Sequence, residues 1–256
     1  LMAVTFTANT AVSVYATGVT ATENAQTIDA QSTDAQALTP EEQKAQELQQ
    51  VYDMPVESNG YKDWPQGPGT YGEAGIVMEV GTGAILYAKN IDAHEYPASI
   101  TKVLTALVAL ENGQLTDNVT FSHDSVAFLQ RGDSSVGLKE GNVITLDQAM
   151  HAMLLASANE AAYAIGESVG VNAGHDYNWF IEQMNSRCKE LGGENSNFAN
   201  TNGLHDPNHY TCARDMALIG RELFKHPEFF QIVQTLNYTI PASETTEEHV
   251  FHQKHK

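Results

Sequence analysis

The chain has 256 residues, and 32 acidic against 13 basic residues give it a formal net charge of −19 at pH 7. Such an excess of negative charge repels phosphate backbones and anionic lipid, so it argues against nucleic acid as a partner and against tight adhesion to an anionic membrane. No stretch is long and apolar enough to predict a transmembrane helix.

Residues 1–16 are uncharged and moderately apolar, and they end in Val14-Tyr15-Ala16. Small residues at the usual cleavage positions are typical of the later part of a secretory signal peptide, with a disordered apolar tail as the alternative. We interpret residues 1–16 as the remnant of a signal peptide. The sequence then predicts an exported protein, located in the cell wall or periplasm.

Residues 17–71 are rich in Thr, Gln, Ala, Asp and Glu, with almost no large apolar side chain before Val51. Such a segment cannot bury enough surface to offset the entropy lost on ordering, so it predicts a disordered acidic linker. Residues 39–42 read Thr-Pro-Glu-Glu, a capping box that predicts a short helix through Leu48. We expect the folded domain over residues 72–256.

Residues 97–102 read Pro-Ala-Ser-Ile-Thr-Lys and place a hydroxyl and an amine one helical turn apart, at Ser99 and Lys102. A lysine can take the proton of such a serine when burial or nearby positive charge lowers its pKa. The apolar run over 103–110 predicts a buried helix that ends near Gly113. Ser99 would then lie at a helix N-terminus, where unpaired N–H groups can polarise a bound carbonyl.

The same Ser-x-x-Lys spacing recurs at Ser186 and Lys189, so the pattern alone proves little. This second copy falls within the amphipathic run 179–191, where the backbone N–H groups of a helix interior are already paired. We therefore expect the second copy to be structural, and Ser99 to be the functional one because of its position.

Residues 157–159 read Ser-Ala-Asn and lie between two predicted helices. The first begins at Thr145, whose hydroxyl forms a capping box with Gln148, and the second begins at Glu160. A hydroxyl and a carboxamide on so short a connector can relay a proton to a leaving amine and bind a substrate amide. At a helix junction, however, the same residues commonly serve as caps.

Together, the Ser-Ile-Thr-Lys and Ser-Ala-Asn motifs resemble those of the serine-type D-alanyl-D-alanine carboxypeptidases, the low-molecular-mass penicillin-binding proteins. Residues 81–90 also resemble the opening hairpin of that family, and residues 203–206 with 209–211 resemble the loop before a late helix. The resemblance runs from about Ala74 to the end of the chain.

The resemblance implies a role for each motif residue. Ser99 would be the acylated nucleophile, Lys102 its base, and Ser157 with Asn159 the proton relay and the substrate ligand. The substrates would be peptidoglycan stem peptides ending in D-Ala-D-Ala, and β-lactams would be inhibitors that trap Ser99 as an acyl-enzyme. We expect neither a metal nor a cofactor.

The fold that fits is α+β, an antiparallel sheet with a helical region as in penicillin-binding proteins and β-lactamases. Its sheet would open with a hairpin of residues 76–80 and 84–89. A helix is predicted over 176–191, and another from a Thr211 cap through Phe224, before an extended segment over 237–241.

No Lys-Thr-Gly or Lys-Ser-Gly occurs in the sequence, although the family carries this third motif on a strand that lines the cleft. The last residues resemble the segment just before that strand. We therefore interpret the chain as truncated before the third motif, with a fold incomplete at the C-terminus. The sheet would be left with an exposed pairing edge.

Two further functions stay open. A β-lactamase shares the scaffold and the nucleophile, but Ala158 stands where class A enzymes have Asp, and no Glu-x-x-Leu-Asn follows. The other alternative is a catalytically inactive wall-binding fragment, because a domain without the third motif would lack half of its cleft.

The cysteines and the C-terminal histidines are weaker signals. Cys188 and Cys212 could pair in an exported protein, although buried free thiols are commoner in large domains. His249, His252 and His255 recur every three residues, but no Cys or carboxylate accompanies them at ligand spacing, so we do not expect a zinc site.

Overall fold

The structure, a computed structural model, describes the backbone of residues 2–6 and the chain over residues 38–57 and 63–253. A 3₁₀ turn, Ala98–Ile100, directly precedes the second helix. Over the described residues the elements are, in chain order, β1 (Met2–Phe6), α1 (Pro40–Tyr52), β2 (Ala74–Met78), β3 (Ile85–Lys89), α2 (Thr101–Asn112), β4 (Asn118–Thr120), α3 (His123–Ala127), β5 (Val143–Thr145), α4 (Leu146–Leu155), α5 (Asn159–Asn172), α6 (Tyr177–Glu190), α7 (Ala213–Leu223), α8 (Pro227–Val233), β6 (Asn237–Ile240) and β7 (His249–His252).

The strands form three antiparallel sheets over the described residues: β1-β2-β3, β4-β5 and β6-β7. The predicted opening hairpin is confirmed as β2 and β3, with Gly75 opposite Lys89. The exposed edge expected on this sheet is not found at β2, because β1 pairs along it from Met2 to Phe6. Unpaired backbone groups at a strand edge favour such pairing. The signal-peptide interpretation of residues 1–16 stays a prediction, since residues 7–16 lie outside the described part.

The helical region is built around α2, which packs against α4, α5, α6 and α7. Leu104 and Leu107 are fully buried in it, and each such side chain contributes about 2 kcal/mol of burial energy. The helix ends at Asn112 with Gly113 as its C-cap, as the apolar run predicted. The predicted α+β architecture, an antiparallel sheet beside a helical region, is therefore confirmed.

The segment that was predicted as a disordered linker is partly packed against the first sheet. The capping box of Thr39 is present, and α1 extends beyond the predicted end to Tyr52. Lys89 is 1% exposed, and its Nζ donates to the carbonyls of Val51 (2.5 Å) and Thr70 (2.6 Å). The structure thus corrects the linker prediction for residues 38–57 and 63–71, because long-range hydrogen bonds order a segment of low hydrophobicity. The predicted linker's residues 17–37 lie outside the described part.

Helix α7 begins one residue later than predicted. Thr211 exchanges two backbone hydrogen bonds with Glu95, 2.7 and 2.9 Å long, and this bridge holds it in an extended conformation. Cys212 becomes the N-cap, and its sulfur accepts from the Asp215 N–H at 3.4 Å. The predicted start of α6 at Asp176 is confirmed, because the Asp176 side chain caps that helix.

The loop over residues 199–209 packs directly against the turn that carries Ser99. Ala98 has φ +47° and Gly203 has φ +84°. A Cβ on Gly203 would lie 1.8 Å from the Ala98 carbonyl oxygen, so only glycine allows this approach. Thr105 of α2 forms a second contact with this loop, since its hydroxyl donates to the Thr201 carbonyl at 2.7 Å.

His209 connects the same loop to α2. Its Nδ1 accepts from the Ala199 N–H at 2.9 Å, so the neutral ring carries its proton on Nε2 and donates to the Thr101 hydroxyl at 2.7 Å. Burial lowers the pKa of His209 to about 4, against a smaller opposing effect of Asp206. Protonation of Nδ1 would also set two donors, Nδ1–H and the Ala199 N–H, against each other.

Replacing Gly203 with alanine should destabilise the protein by about 3 kcal/mol, because the change adds a backbone clash to the cost of a left-handed conformation. Gly141 is the matched control: its φ is +86° and nothing lies within 4 Å of an added Cβ. Gly141→Ala should therefore cost only about 1 kcal/mol. The measurement is urea unfolding of both variants. Equal losses in the free energy of unfolding would contradict the close approach of Gly203 to Ala98.

Stability should fall on acidification through His209. Its folded pKa of about 4 lies below the ordinary value near 6.5, so the unfolded chain binds the proton first. The contribution of the neutral His209 ring to the free energy of unfolding is present above about pH 6.5. It is lost as the pH falls toward 4, by about 2 kcal/mol between pH 7.5 and pH 5. Between pH 7.5 and pH 5, the free energy of unfolding of His209→Gln, measured with urea, should therefore fall by about 2 kcal/mol less than that of the wild type. If the stability of the wild type and that of His209→Gln depended on pH in the same way, the role assigned to His209 would be refuted.

Candidate active site

Ser99 and Lys102 lie at the start of α2 as the sequence predicted. Ser99 is in the 3₁₀ turn and is exposed, whereas Lys102 is in the first turn of α2 and is only 3% exposed. The distance between Lys102 Nζ and Ser99 Oγ is 3.1 Å. The turn thus presents the hydroxyl to solvent while α2 keeps the amine beneath it.

The connector between α4 and α5 brings Ser157 to the same point. Ser157 has φ +59°, a left-handed conformation that is unfavourable for a residue with a side chain, and its hydroxyl donates to Ser99 Oγ at 3.0 Å. The N-cap of α5 is Ala158, with no capping side chain. Ser157 therefore faces the other hydroxyl and does not cap α5.

Asn159 is the first residue of α5, and its Oδ1 accepts from Lys102 Nζ at 2.8 Å. Its backbone N–H donates to the Ser134 carbonyl at 2.9 Å. The neighbouring Glu160 is fully buried, and its Oε1 accepts from the Ser135 hydroxyl and from the N–H groups of residues 136 and 137. Glu160 thereby connects the start of α5 to the loop over residues 134–137.

Sequence reasoning missed Asn202, whose backbone carbonyl accepts from Lys102 Nζ at 2.7 Å. Every residue has such a carbonyl, so no side-chain motif could reveal this contact. The one sequence feature that could have indicated this contact was Gly203, because a glycine there lets the loop approach the Ser99 turn. The four predicted residues Ser99, Lys102, Ser157 and Asn159 are all brought together, with Asn202 as an additional partner.

The hydrogen bonds fix Lys102 Nζ directly against the Ser99 hydroxyl. The oxygens of Asn159 and Asn202 can only accept, so they bind two N–H groups of Lys102. Ser99 Oγ accepts hydrogen bonds from Lys102 Nζ and from the Ser157 hydroxyl.

Beside Ser99 is a cavity of about 390 Å³ with mainly apolar walls. Helix α8 closes one side of it with Phe229 and Val233. Such walls exclude water and strengthen the electrostatic interactions of groups inside them. The remaining lining residues are Ser99, Ile100, Lys102, Val103, Met153, Leu154 and Ser157.

The other residues considered from the sequence lie elsewhere. Ser186 is inside α6, and its hydroxyl donates to Glu190 at 3.5 Å. Cys188 and Cys212 are free buried thiols, and burial is the largest cause that raises their pKa values, to about 11 and about 12. The possible disulfide is therefore absent.

His249 Nδ1 donates to the Val136 carbonyl at 3.0 Å, and His252 bonds the side chain of Asn237, whereas His255 lies outside the described residues. The described part of the chain contains no group of three or more His, Cys, Asp or Glu residues placed to hold a metal ion. None of its helices combines the length and the apolar character needed to cross a membrane.

A family model for D-alanyl-D-alanine carboxypeptidases of the peptidase S11 class matches residues 65–254. Among curated proteins, the chain is 33% identical over 171 residues to the D-alanyl-D-alanine carboxypeptidase DacA of Haemophilus influenzae, covering 64% of this chain and 42% of that protein. It is 32% identical over 168 residues to DacF of Bacillus subtilis, covering 64% and 41%. The chain thus spans about two fifths of the length of these relatives.

Solved structures of the same kind match the fold. The Streptomyces K15 DD-transpeptidase aligns with a TM-score of 0.62 at 28% identity, covering 69% of this chain and 70% of that one. A D-alanyl-D-alanine carboxypeptidase from Mycobacterium tuberculosis aligns with a TM-score of 0.64 at 26% identity, covering 78% and 72%. The predicted penicillin-binding-protein fold is confirmed, and the chain belongs to the D-alanyl-D-alanine carboxypeptidase family.

Proposed function

We propose that the chain carries the acylation machinery of a serine-type carboxypeptidase that removes the terminal D-Ala from peptidoglycan stem peptides. The observation that carries the proposal is the convergence of Lys102 Nζ and Ser157 Oγ on Ser99 Oγ, at 3.1 and 3.0 Å. A serine hydroxyl becomes a nucleophile only when a neighbouring base removes its proton.

In the acylation step, the Ser99 proton moves to the neutral amine of Lys102 while Ser99 Oγ attacks the carbonyl carbon of the penultimate D-Ala. The tetrahedral intermediate collapses when the C–N bond breaks. Ser157 relays the proton from Lys102 to the leaving nitrogen, since its hydroxyl already contacts Ser99 Oγ. The products of this step are free D-Ala and an ester on Ser99, which water then hydrolyses.

Asn159 has two roles in this proposal. Its Oδ1 holds the Lys102 amine at 2.8 Å, and its Nδ2 group is left to donate to the amide carbonyl of a bound peptide. Because Asn159 starts a helix and is buried, its carboxamide is held in one position. A preorganised donor of this kind aligns the peptide without a large entropic cost at the moment of reaction.

We also propose that the protein is exported and works in the cell wall or periplasm, where β-lactams would reach it. The support is the signal-like sequence of residues 1–16 together with the extracytoplasmic position of the peptidoglycan substrate. A membrane anchor elsewhere in the protein is compatible with this proposal.

Ser99 should form a covalent adduct with benzylpenicillin, detected as a mass increase of the intact protein and located by peptide mapping. Ser99→Ala should abolish the adduct, whereas Ser186→Ala, which removes the hydroxyl of the second Ser-x-x-Lys, should label like the wild type. A short-lived adduct with rapid drug turnover would favour a β-lactamase instead. Absence of any adduct would favour a non-catalytic wall-binding module.

Loss of the Ser157 hydroxyl should slow acylation by a factor of about 10² to 10⁴, the usual contribution of a proton-transfer group. Ser157→Ala and Ser157→Gly form a matched pair, because both remove the hydroxyl but only glycine tolerates φ +59° without strain. Stopped-flow acylation rates should be reduced equally in both variants. A near-normal rate in Ser157→Gly would show that the backbone conformation matters and the hydroxyl does not.

A further inference from the structure

Glu160, the second residue of α5, is a fully buried carboxylate that follows Asn159 directly. Its Oε1 accepts three hydrogen bonds from one loop, from the Ser135 hydroxyl at 2.7 Å and from the N–H groups of Val136 at 2.8 Å and Gly137 at 3.2 Å. Its Oε2 has no hydrogen-bond partner among the described residues. Burying a carboxylate oxygen without a donor is unfavourable, so the contacts of Oε1 must offset this cost.

The loop over residues 134–137 is bound to the start of α5 at two adjacent points. The Ser134 carbonyl accepts from the Asn159 N–H at 2.9 Å, and Glu160 binds the next three residues of the loop. Residues 134–137 belong to no helix or strand, so no regular ladder of backbone hydrogen bonds fixes them. Glu160 therefore helps to determine where the Ser134 carbonyl lies, and with it the backbone of Asn159.

Asn159 transmits this placement to the reacting groups. Its Oδ1 accepts from Lys102 Nζ at 2.8 Å, and Nζ lies 3.1 Å from Ser99 Oγ. A displacement of about 1 Å in such a site can slow a reaction by a factor of about 10². Because the hydrogen bonds of Glu160 go to the loop, its influence reaches Lys102 through Asn159.

We propose that Glu160 is a positioning residue for the acylation of Ser99. Its buried carboxylate holds the loop over residues 134–137 against α5 and thereby keeps Asn159 aligned with Lys102. Glu160 does not line the cavity beside Ser99, so it acts through its neighbour and not on the substrate. This inference rests on the proposed function, since it concerns the same acylation step.

Asp215 offers a matched control, because it has the same arrangement in the first turn of α7. It is 1% exposed, and its Oδ2 accepts from the Asn195 N–H at 2.8 Å and from the Ser196 hydroxyl at 2.7 Å. Its Oδ1 has no hydrogen-bond partner within the part of the chain that the structure describes. Removing this carboxylate weakens a helix–loop contact of the same kind at a different helix.

The test is the rate of acylation by benzylpenicillin, measured by stopped flow at a temperature where thermal melts show each variant to be folded. Glu160→Ala should acylate more slowly by a factor of about 10², because Asn159 loses its alignment. Asp215→Ala should stay within about twofold of the wild type. Glu160→Gln should acylate much faster than Glu160→Ala, since one amide oxygen can keep the contacts of Oε1.

A double-mutant cycle with Asn159 separates positioning from a general loss of stability. Asn159→Ala removes the carboxamide through which Glu160 acts, so adding Glu160→Ala should slow acylation further by no more than about threefold. A contribution independent of Asn159 would instead add its full factor of about 10². If Glu160→Ala does not fold, Glu160→Asp takes its place in both measurements. It withdraws the carboxylate from the loop by one methylene and should slow acylation about tenfold.

Near-normal acylation by Glu160→Ala, or by Glu160→Asp in its place, would overturn the inference. So would an equal loss in Asp215→Ala, a Glu160→Gln variant as slow as Glu160→Ala, or a full additional loss in the Asn159→Ala background. Failure of the proposed function has a different signature, the absence of a benzylpenicillin adduct on Ser99 in the wild type.

Discussion

The buried amine of Lys102 is the interaction on which the site depends. Its Nζ contacts Ser99 in its own helical turn, Asn159 at the start of α5 and the carbonyl of Asn202 in a distant loop. A buried amine needs hydrogen-bond partners for its polar hydrogens, so these segments must meet around it. Asn159 and Asn202 accept from Nζ through oxygens on other segments, so their placement also fixes Nζ against the Ser99 hydroxyl.

The backbone around this amine is held in conformations that need support. Ala98 and Ser157 both have positive φ, which costs about 1 kcal/mol or more for each residue with a side chain. The support comes from the loop over residues 199–209, where Gly203 lies against Ala98 and the neutral ring of His209 connects the loop to α2. The stability of this loop and the geometry of the Ser99 turn are thus coupled, although His209 does not line the cavity beside Ser99.

Local signals predicted much of the secondary structure. The capping boxes at Thr39 and Thr145 and the glycine at the end of α2 are present, because they depend on contacts within three or four residues. Predictions failed where distant contacts decide. Composition made residues 38–57 appear disordered, but Lys89 binds the Val51 carbonyl, and the pairing of Thr211 with Glu95 moved the cap of α7 to Cys212. Long-range hydrogen bonds of this kind leave no periodic pattern in a sequence.

The sequence by itself determined which side chains could meet, since the spacing of Ser99 and Lys102 follows from the pitch of one helix and the Ser-Ala-Asn motif marks the second segment. It could not separate Ser99 from Ser186, except through position in a predicted helix. Only the tertiary structure decided that Ser157 turns toward Ser99 instead of capping α5 and that the Asn202 carbonyl contacts Lys102. These contacts join residues that are 58 and 100 positions apart, and their relative placement is set by packing of the whole domain.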